Sequence, residues 1–386
     1  MTSRLDDSSL TSLAAQSVEL IARLQHLSGA YPASPTFSAY AGYSWFRDGA
    51  FIADGMSSAH AIDSASRFFD WCETVLVSRR SQIERIEAAE LAGQPLANSH
   101  MLATRFSFDG AEGDDEWWDF QTDGYGTWVW AALTHAKRHK LNPAHWREGI
   151  ELSVRYLIAT AHRSCFDWWE ENEGERHVST LGCAIAGLEA AASAGILESA
   201  LALRAREVAG TLRALIATDG VSNGHLVKWL GSGAVDGSLA ALIAPIGAFD
   251  GSTALAASTT AQISAELCVD GGVHRYLGDT FYGGGQWPLL SCMLGLAYVA
   301  GGDLAAARRQ LEWAALTATP EGYLPEQVDH DLLDPSRVAE WVERWGSVAT
   351  PLLWSHAMYV RLAVELGVYV PDVDCELDHG IEGKAV

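Results

Sequence analysis

Residues 196–217 read ILESALALRAREVAGTLRALIA, and this stretch decides the fold class. Its larger apolar residues Leu197, Leu201, Val208, Leu212 and Leu215 are spaced by 4, 7, 4 and 3, which lines them along one side of an α-helix. Leu10, Leu13, Leu20, Leu24 and Leu27 repeat the pattern near the N-terminus. Carried along the chain, this reading predicts about twelve helices, near 9–27, 48–58, 61–92, 124–138, 144–161, 179–194, 196–217, 236–243, 252–268, 286–300, 303–318 and 350–367. Asp303, between Gly301-Gly302 and an Ala-rich run, is the expected N-cap of one of them.

Strand-like pieces, His225–Leu230 and Gly272–Tyr276, are short, and no βαβ alternation supports a doubly wound sheet. A dozen helices with alternating short and long connections suit an all-α (α/α)6 barrel, a toroid of six inner and six outer helices. The long loops at one mouth would then carry the chemistry. An irregular bundle or a solenoid is the alternative, but no fixed-period motif supports a solenoid. No Pro/Ser-rich linker divides the chain, so residues 1–386 are expected to form a single domain.

Composition narrows the partners. The hydrophobic fraction of 48% suffices for a large core, yet no run of about 18 apolar residues predicts a membrane span. The first residues, Met1-Thr2-Ser3-Arg4-Leu5-Asp6-Asp7, do not resemble a secretory signal. A net charge of −23 repels phosphate backbones, which argues against nucleic acid and says little about neutral sugars. Cys72, Cys165, Cys183, Cys268, Cys292 and Cys375 form no CxxC pair and read as reduced, mostly buried thiols in a cytoplasmic protein. No spacing supports a metal site, and no cofactor is expected. Gly283-Gly284-Gly285 lacks the Lys-Ser/Thr of a phosphate loop, and Gly231-Ser232-Gly233 lacks a nucleophile elbow. His177, His274 and His356 follow no metal spacing and read as structural.

Five segments combine aromatic and charged residues: Tyr43–Asp48, Trp117–Gly124, Trp168–Glu171, Arg275–Trp287 and Leu324–Gln327. Indoles cover the apolar face of a sugar ring, while Arg and Asp grip hydroxyl pairs with charge-assisted hydrogen bonds. In Trp168-Trp169-Glu170-Glu171 a carboxyl group follows two indoles, where poor solvation raises its pKa. Glu326 supplies a second, distant carboxylate, and the pair suggests hydrolysis of a glycosidic bond. Each segment has a plainer explanation alone. Most Trp residues are core, Arg47-Asp48 could be a helix-start ion pair, and Glu170 and Glu171 could be solvated acids among Asp167, Glu173 and Glu175. Recurrence of all five in one chain outweighs those readings.

In their order, Trp45-Phe46-Arg47-Asp48-Gly49, Gln121-Thr122-Asp123-Gly124, Asp167–Glu171, Arg275–Trp287, Leu324–Gln327 and Pro351–Ala357 resemble glycoside hydrolase family 15, the glucoamylase-like enzymes. The likeness runs from about residue 37 to 367. It implies an (α/α)6 barrel and inverting hydrolysis of α-glucosides, releasing β-glucose from non-reducing ends. It further implies Glu170 as general acid, Glu326 as general base and Glu171 as a binder on the leaving-group side. Arg47 and Asp48 match the pair that holds the terminal glucose; Trp45, Trp117 and Trp354 match pocket walls, and Trp169 stands beside the acid. Arg275 matches a brace near the cleavage point, and the Trp168 carbonyl matches a hydroxyl acceptor. The chain is expected to carry neither the amino-terminal β-domain nor the starch-binding module of longer relatives, which favours isomaltose and short isomalto-oligosaccharides. Maltosides, trehalose, an unsaturated uronide or a catalytically silent sugar-binding toroid are the alternatives.

Two departures from the family pattern bear on the base. The tyrosine that usually bonds it is expected at Tyr40 by way of a one-residue bulge, since strict spacing falls on Ala41. Phe281-Tyr282 replaces consecutive tyrosines, which removes one hydroxyl near the base and leaves Tyr40 less restrained. A Phe281→Tyr variant is therefore expected to change the pH–rate profile, and an unchanged profile argues against that role. For an inverting pair the carboxyl groups should lie ~6.5–9.5 Å apart.

Overall fold

The structure is a computed structural model that describes residues 6–113 and 115–371. Cys375 and the first five residues of the N-terminal stretch lie outside the described residues. Fourteen α-helices are present among the described residues: Asp7–Leu24 (α1), Phe46–Ser58 (α2), Ile62–Ser78 (α3), Arg80–Leu91 (α4), Asp123–His139 (α5), Arg147–Thr160 (α6), Val178–Ser193 (α7), Ser199–Asp219 (α8), Leu239–Ile243 (α9), Ala254–Leu267 (α10), Pro288–Ala300 (α11), Leu304–Leu316 (α12), Val338–Trp345 (α13) and Leu353–Glu365 (α14).

Two kinds of helix alternate. Every residue of α2 is buried, α9 is buried throughout, and α5, α7, α11 and α14 are buried over nearly their whole length. A helix covered on all sides lies inside. α8 instead buries the single line Ala202, Ala205, Ala209, Leu212 and Ile216. The predicted leucine stripe shares Leu212 with that line, and its other members pack half-buried against the core beside it. The six buried helices pack in a cycle: α2 on α5, α5 on α7, α7 on α9, α9 on α11, α11 on α14, and α14 back on α2. Helices α3, α6, α8, α10, α12 and α1 pack outside them. Glycine permits the closest approach in the cycle. A Cβ on Gly126 of α5 would lie 2.3 Å from the Cys183 carbonyl of α7, and one on Gly187 would lie 2.6 Å from the Gly126 carbonyl.

Connections from an inner to an outer helix are short, such as 59–61, 194–198 and 301–303. Those leading into an inner helix are long, such as 161–177, 220–238, 268–287 and 317–352. Asp303 caps α12 by accepting from Ala306 N, as expected. Three expectations need correction. The helix read over 61–92 is two helices meeting at Arg79, the helix read over 236–243 is only Leu239–Ile243, and α13 was not expected. Short antiparallel ribbons occur at Tyr43–Trp45 with Arg105–Ser107, Val221–Ser222 with His225–Leu226, and Cys268–Val269 with Gly272–Val273. No helix among the described residues is long and apolar enough to cross a membrane. The five described cysteines are free thiols, four of them buried. His177, His274 and His356 each bond backbone or hydroxyl groups, as structural histidines do.

Candidate active site

The long connections and the N-terminal turns of the inner helices meet around one cavity. All thirteen residues singled out in the sequence line it: Tyr40, Trp45, Arg47, Asp48, Trp117, Trp168, Trp169, Glu170, Glu171, Arg275, Phe281, Glu326 and Trp354. Ala33, Trp118, Trp287, Trp341, Trp345 and Leu352 line it too and were not singled out. Trp118 and Trp287 lie inside recognised segments. Trp341 and Trp345 come from α13, whose i, i+4 indoles were the available signal.

Glu170 sits at φ +65°, a left-handed conformation that an L-residue enters at a cost of about 1–3 kcal/mol. Asp167 holds it there. One carboxylate oxygen of Asp167 accepts from the Trp169 and Glu171 N–H groups, both at 2.9 Å, and its carbonyl accepts from Glu170 N. Behind the turn lies a buried cation that the sequence reading missed. Lys228 Nζ is 3.2 Å from Asp167 and 2.5 Å from Asp236. Asp236 in turn accepts from Trp169 Nε1 at 3.0 Å. Burial opposes the charge on Lys228, yet Asp236 and Asp167 outweigh it and raise its pKa. The signal was a lone Lys among the apolar residues of His225–Leu230, which reads equally well as a surface residue.

The Glu170 carboxyl is fixed on one side only. Its Oε1 accepts from Trp45 Nε1 at 2.9 Å, Trp117 Nε1 at 3.0 Å and Gln121 Nε2 at 3.4 Å. With Oε1 occupied by three donors, a proton on this group belongs on Oε2. Burial raises the Glu170 pKa, while Arg47 and the same three donors pull it down. This corrects part of the sequence reading: the indoles raise the pKa by excluding water, and their N–H groups favour the carboxylate.

Glu326, 2% exposed, accepts from the Tyr40 hydroxyl at 2.9 Å through Oε1, and its Oε2 is buried without a protein partner. Of the two positions weighed, Tyr40 and not Ala41 reaches it. Burial pushes the Glu326 pKa up to about 8, opposed by the Tyr40 bond and by Arg275. Asp48 is likewise pushed up to about 7 by burial, against the pull of Arg47 at 3.5 Å. Arg47 is held by Gln121 at 2.6 Å and Asp123 at 3.0 Å, so the helix-start pair is also a buried network. Asp48, Glu170 and Glu326 thus share one dry pocket with Glu171, and like charges there resist ionisation of one another.

A Tyr40→Phe variant removes the donor that favours ionised Glu326, so the Glu326 pKa rises further. A base acts deprotonated, and its activity is lost as pH falls through its pKa. The acidic limb of the kcat/KM profile is therefore expected to move to higher pH, with lower turnover at neutrality. A limb that stays in place or moves to lower pH contradicts the assignment.

Arg275 is clamped to Asp279, reaches Glu171 at 3.3 Å, and lies among the Trp169, Phe281 and Trp287 rings. Tyr276 also donates to Glu171. Burial raises the Glu171 pKa while Arg275 lowers it. Phe281 packs on Tyr282, Trp287, Trp341 and Trp345, whereas Tyr40 packs on Phe37 and Trp45. Trp168 and Trp354 pack together on Phe51.

An indole-walled pocket that draws poorly solvated carboxyl groups from distant segments is suited to splitting a bond to a sugar, and comparison with known proteins confirms that the chain is a glycoside hydrolase. It belongs to glycosyl hydrolases family 15, whose profile matches residues 8–312. The isomaltose glucohydrolase of Kribbella flavida is 53% identical to it over 94% of each chain. A solved glycosidase variant in complex with glucose is 52% identical, with a TM-score of 0.92 over 95% of this chain and all of that one. The glucoamylase of Saccharomycopsis fibuligera, at 16% identity, shares the fold alone, with a TM-score of 0.71 over 96% of this chain and 98% of its own.

Proposed function

We propose that this enzyme releases β-glucose, with inversion, from the non-reducing end of isomaltose and short α-1,6-linked gluco-oligosaccharides. Glu170 donates its Oε2 proton to the glycosidic oxygen, and Glu326 takes a proton from a water on the opposite face of the ring. Tyr40 holds the base. Arg47 and Asp48 grip the terminal glucose, with Trp45, Trp168 and Trp354 around it. Glu171, Arg275, Trp117 and Trp169 border the leaving sugar, and Phe281 lies towards the base side.

One observation carries this reading. Two glutamates more than a hundred residues apart in sequence line a single pocket, one with Oε1 fully engaged and the other with a buried, unpartnered Oε2. The first has a free oxygen for a proton in transit, and the second has one for a water. The name of the Kribbella relative supports the α-1,6 linkage. The cycle of six buried helices with six outside supports a single (α/α)6 barrel as the domain. Free thiols support a reducing, cytoplasmic setting.

Glucose release from isomaltose, maltose and trehalose, with the first anomer read by NMR, tests the proposal. Isomaltose is expected to be the best of the three and to yield β-glucose first. An α-anomer would overturn inversion, and preference for maltose or trehalose would overturn the linkage. No release from any of the three would favour a sugar-binding protein.

A further inference from the structure

The segment 327–348 leaves and rejoins the chain at the base itself. Glu326 N donates to Ala349 O at 2.9 Å, and Leu352 N donates to Leu324 O at 3.0 Å, so the neck of this excursion is closed beside Glu326. Its tip is α13, which packs chiefly on the turns at Phe281–Gly283 and Pro335–Arg337 and has no fully buried residue. Trp341 is anchored through Nε1 to the Thr280 carbonyl at 2.9 Å. Trp345 extends towards the opposite wall, where its ring lies 6.5 Å from Trp117 at an interplanar angle of 27° and 6.4 Å from Trp118. All four indoles line the cavity.

The spacing is informative. A sugar ring in van der Waals contact with an aromatic plane on each face needs about 7–8 Å between those planes. Trp117 and Trp345 stand closer than that. A ring can pass between them only if one indole moves. Trp117 is tied through Nε1 to Glu170 at 3.0 Å, so the one to give way is Trp345. It is half-buried on a helix with no fully buried residue and would part from Phe37, Phe281 and Trp341 as it moved. Neither Trp341 nor Trp345 contacts either glutamate through a hydrogen bond, so their part concerns admission and not proton transfer.

We propose that Trp345 limits the length of substrate this enzyme accepts: with Trp117, Trp118 and Trp341 it forms a collar that a disaccharide fits within and a longer chain must force open. This inference rests on the α-1,6-glucosidase reading above. It is tested by kcat/KM on isomaltose and isomaltotetraose for the wild type, Trp345→Ala and Trp345→Phe. Trp345→Ala is expected to raise the tetraose-to-disaccharide ratio by about fivefold or more. Trp345→Phe, which keeps a ring, is expected to give a ratio close to wild type. A loss of fold alone would lower both substrates together and leave the ratio unmoved; should Trp345→Ala not fold, Trp345→Leu is read the same way. A ratio that is unchanged or falls, in a variant that folds and cleaves isomaltose, overturns the collar alone. A wild type inactive on isomaltose overturns the reading beneath it, and the collar with it.

Discussion

Replacing Glu326 with alanine is expected to lower kcat on isomaltose by about 10²–10⁴-fold, the usual contribution of a positioned proton-transfer group. Water attack on the anomeric carbon needs an acceptor for its proton, and Glu326 Oε2 is buried with no protein donor bound to it. The substitution removes a carboxyl group that burial already penalises, so the fold should survive with its melting temperature unchanged or raised. Calorimetry beside steady-state kinetics checks both halves. A folded Glu326→Ala enzyme that retains turnover would remove Glu326 from the mechanism.

The second large effect concerns the acid. Glu170→Gln keeps an oxygen for the Trp45 and Trp117 N–H groups, so the pocket wall should stand, while the transferable proton is gone. Turnover of isomaltose is expected to fall by about 10²–10⁴-fold. A substrate whose leaving group needs no protonation, such as α-glucosyl fluoride, should recover most of that loss in Glu170→Gln and little of it in Glu326→Ala. Equal recovery in both variants would mean that the two roles are not divided as proposed. Kinetics on the two substrates with each variant decide the matter.

Much of this architecture is legible in the chain because helical periodicity is a local property. The stripe around Leu212 and the cap at Asp303 both depend on neighbours within a few turns. Eleven of the thirteen pocket-lining residues were legible for another reason: aromatic and charged types stand side by side in ordered segments, while Tyr40 and Trp354 were reached only through the family resemblance. Lys228 was not legible, since its isolation in the sequence conceals Asp167 and Asp236, which only folding brings to it. The same holds for α13, an eight-residue helix with no fully buried residue, whose indoles find partners far away in sequence. The break at Arg79 was hidden because no Gly or Pro marks it between residues 61 and 92. The opposing pulls on Glu170 were hidden as well, because which atom of an indole meets a carboxylate is a matter of three-dimensional orientation.

The short connections at 59–61, 194–198 and 301–303 sit at the opposite helix ends from those that build the pocket, and they contribute none of its residues. That rim is where the enzyme can be handled. A surface tether or a fused partner joined there leaves the mouth facing solution, whereas the same attachment near residues 335–345 would obstruct the entrance.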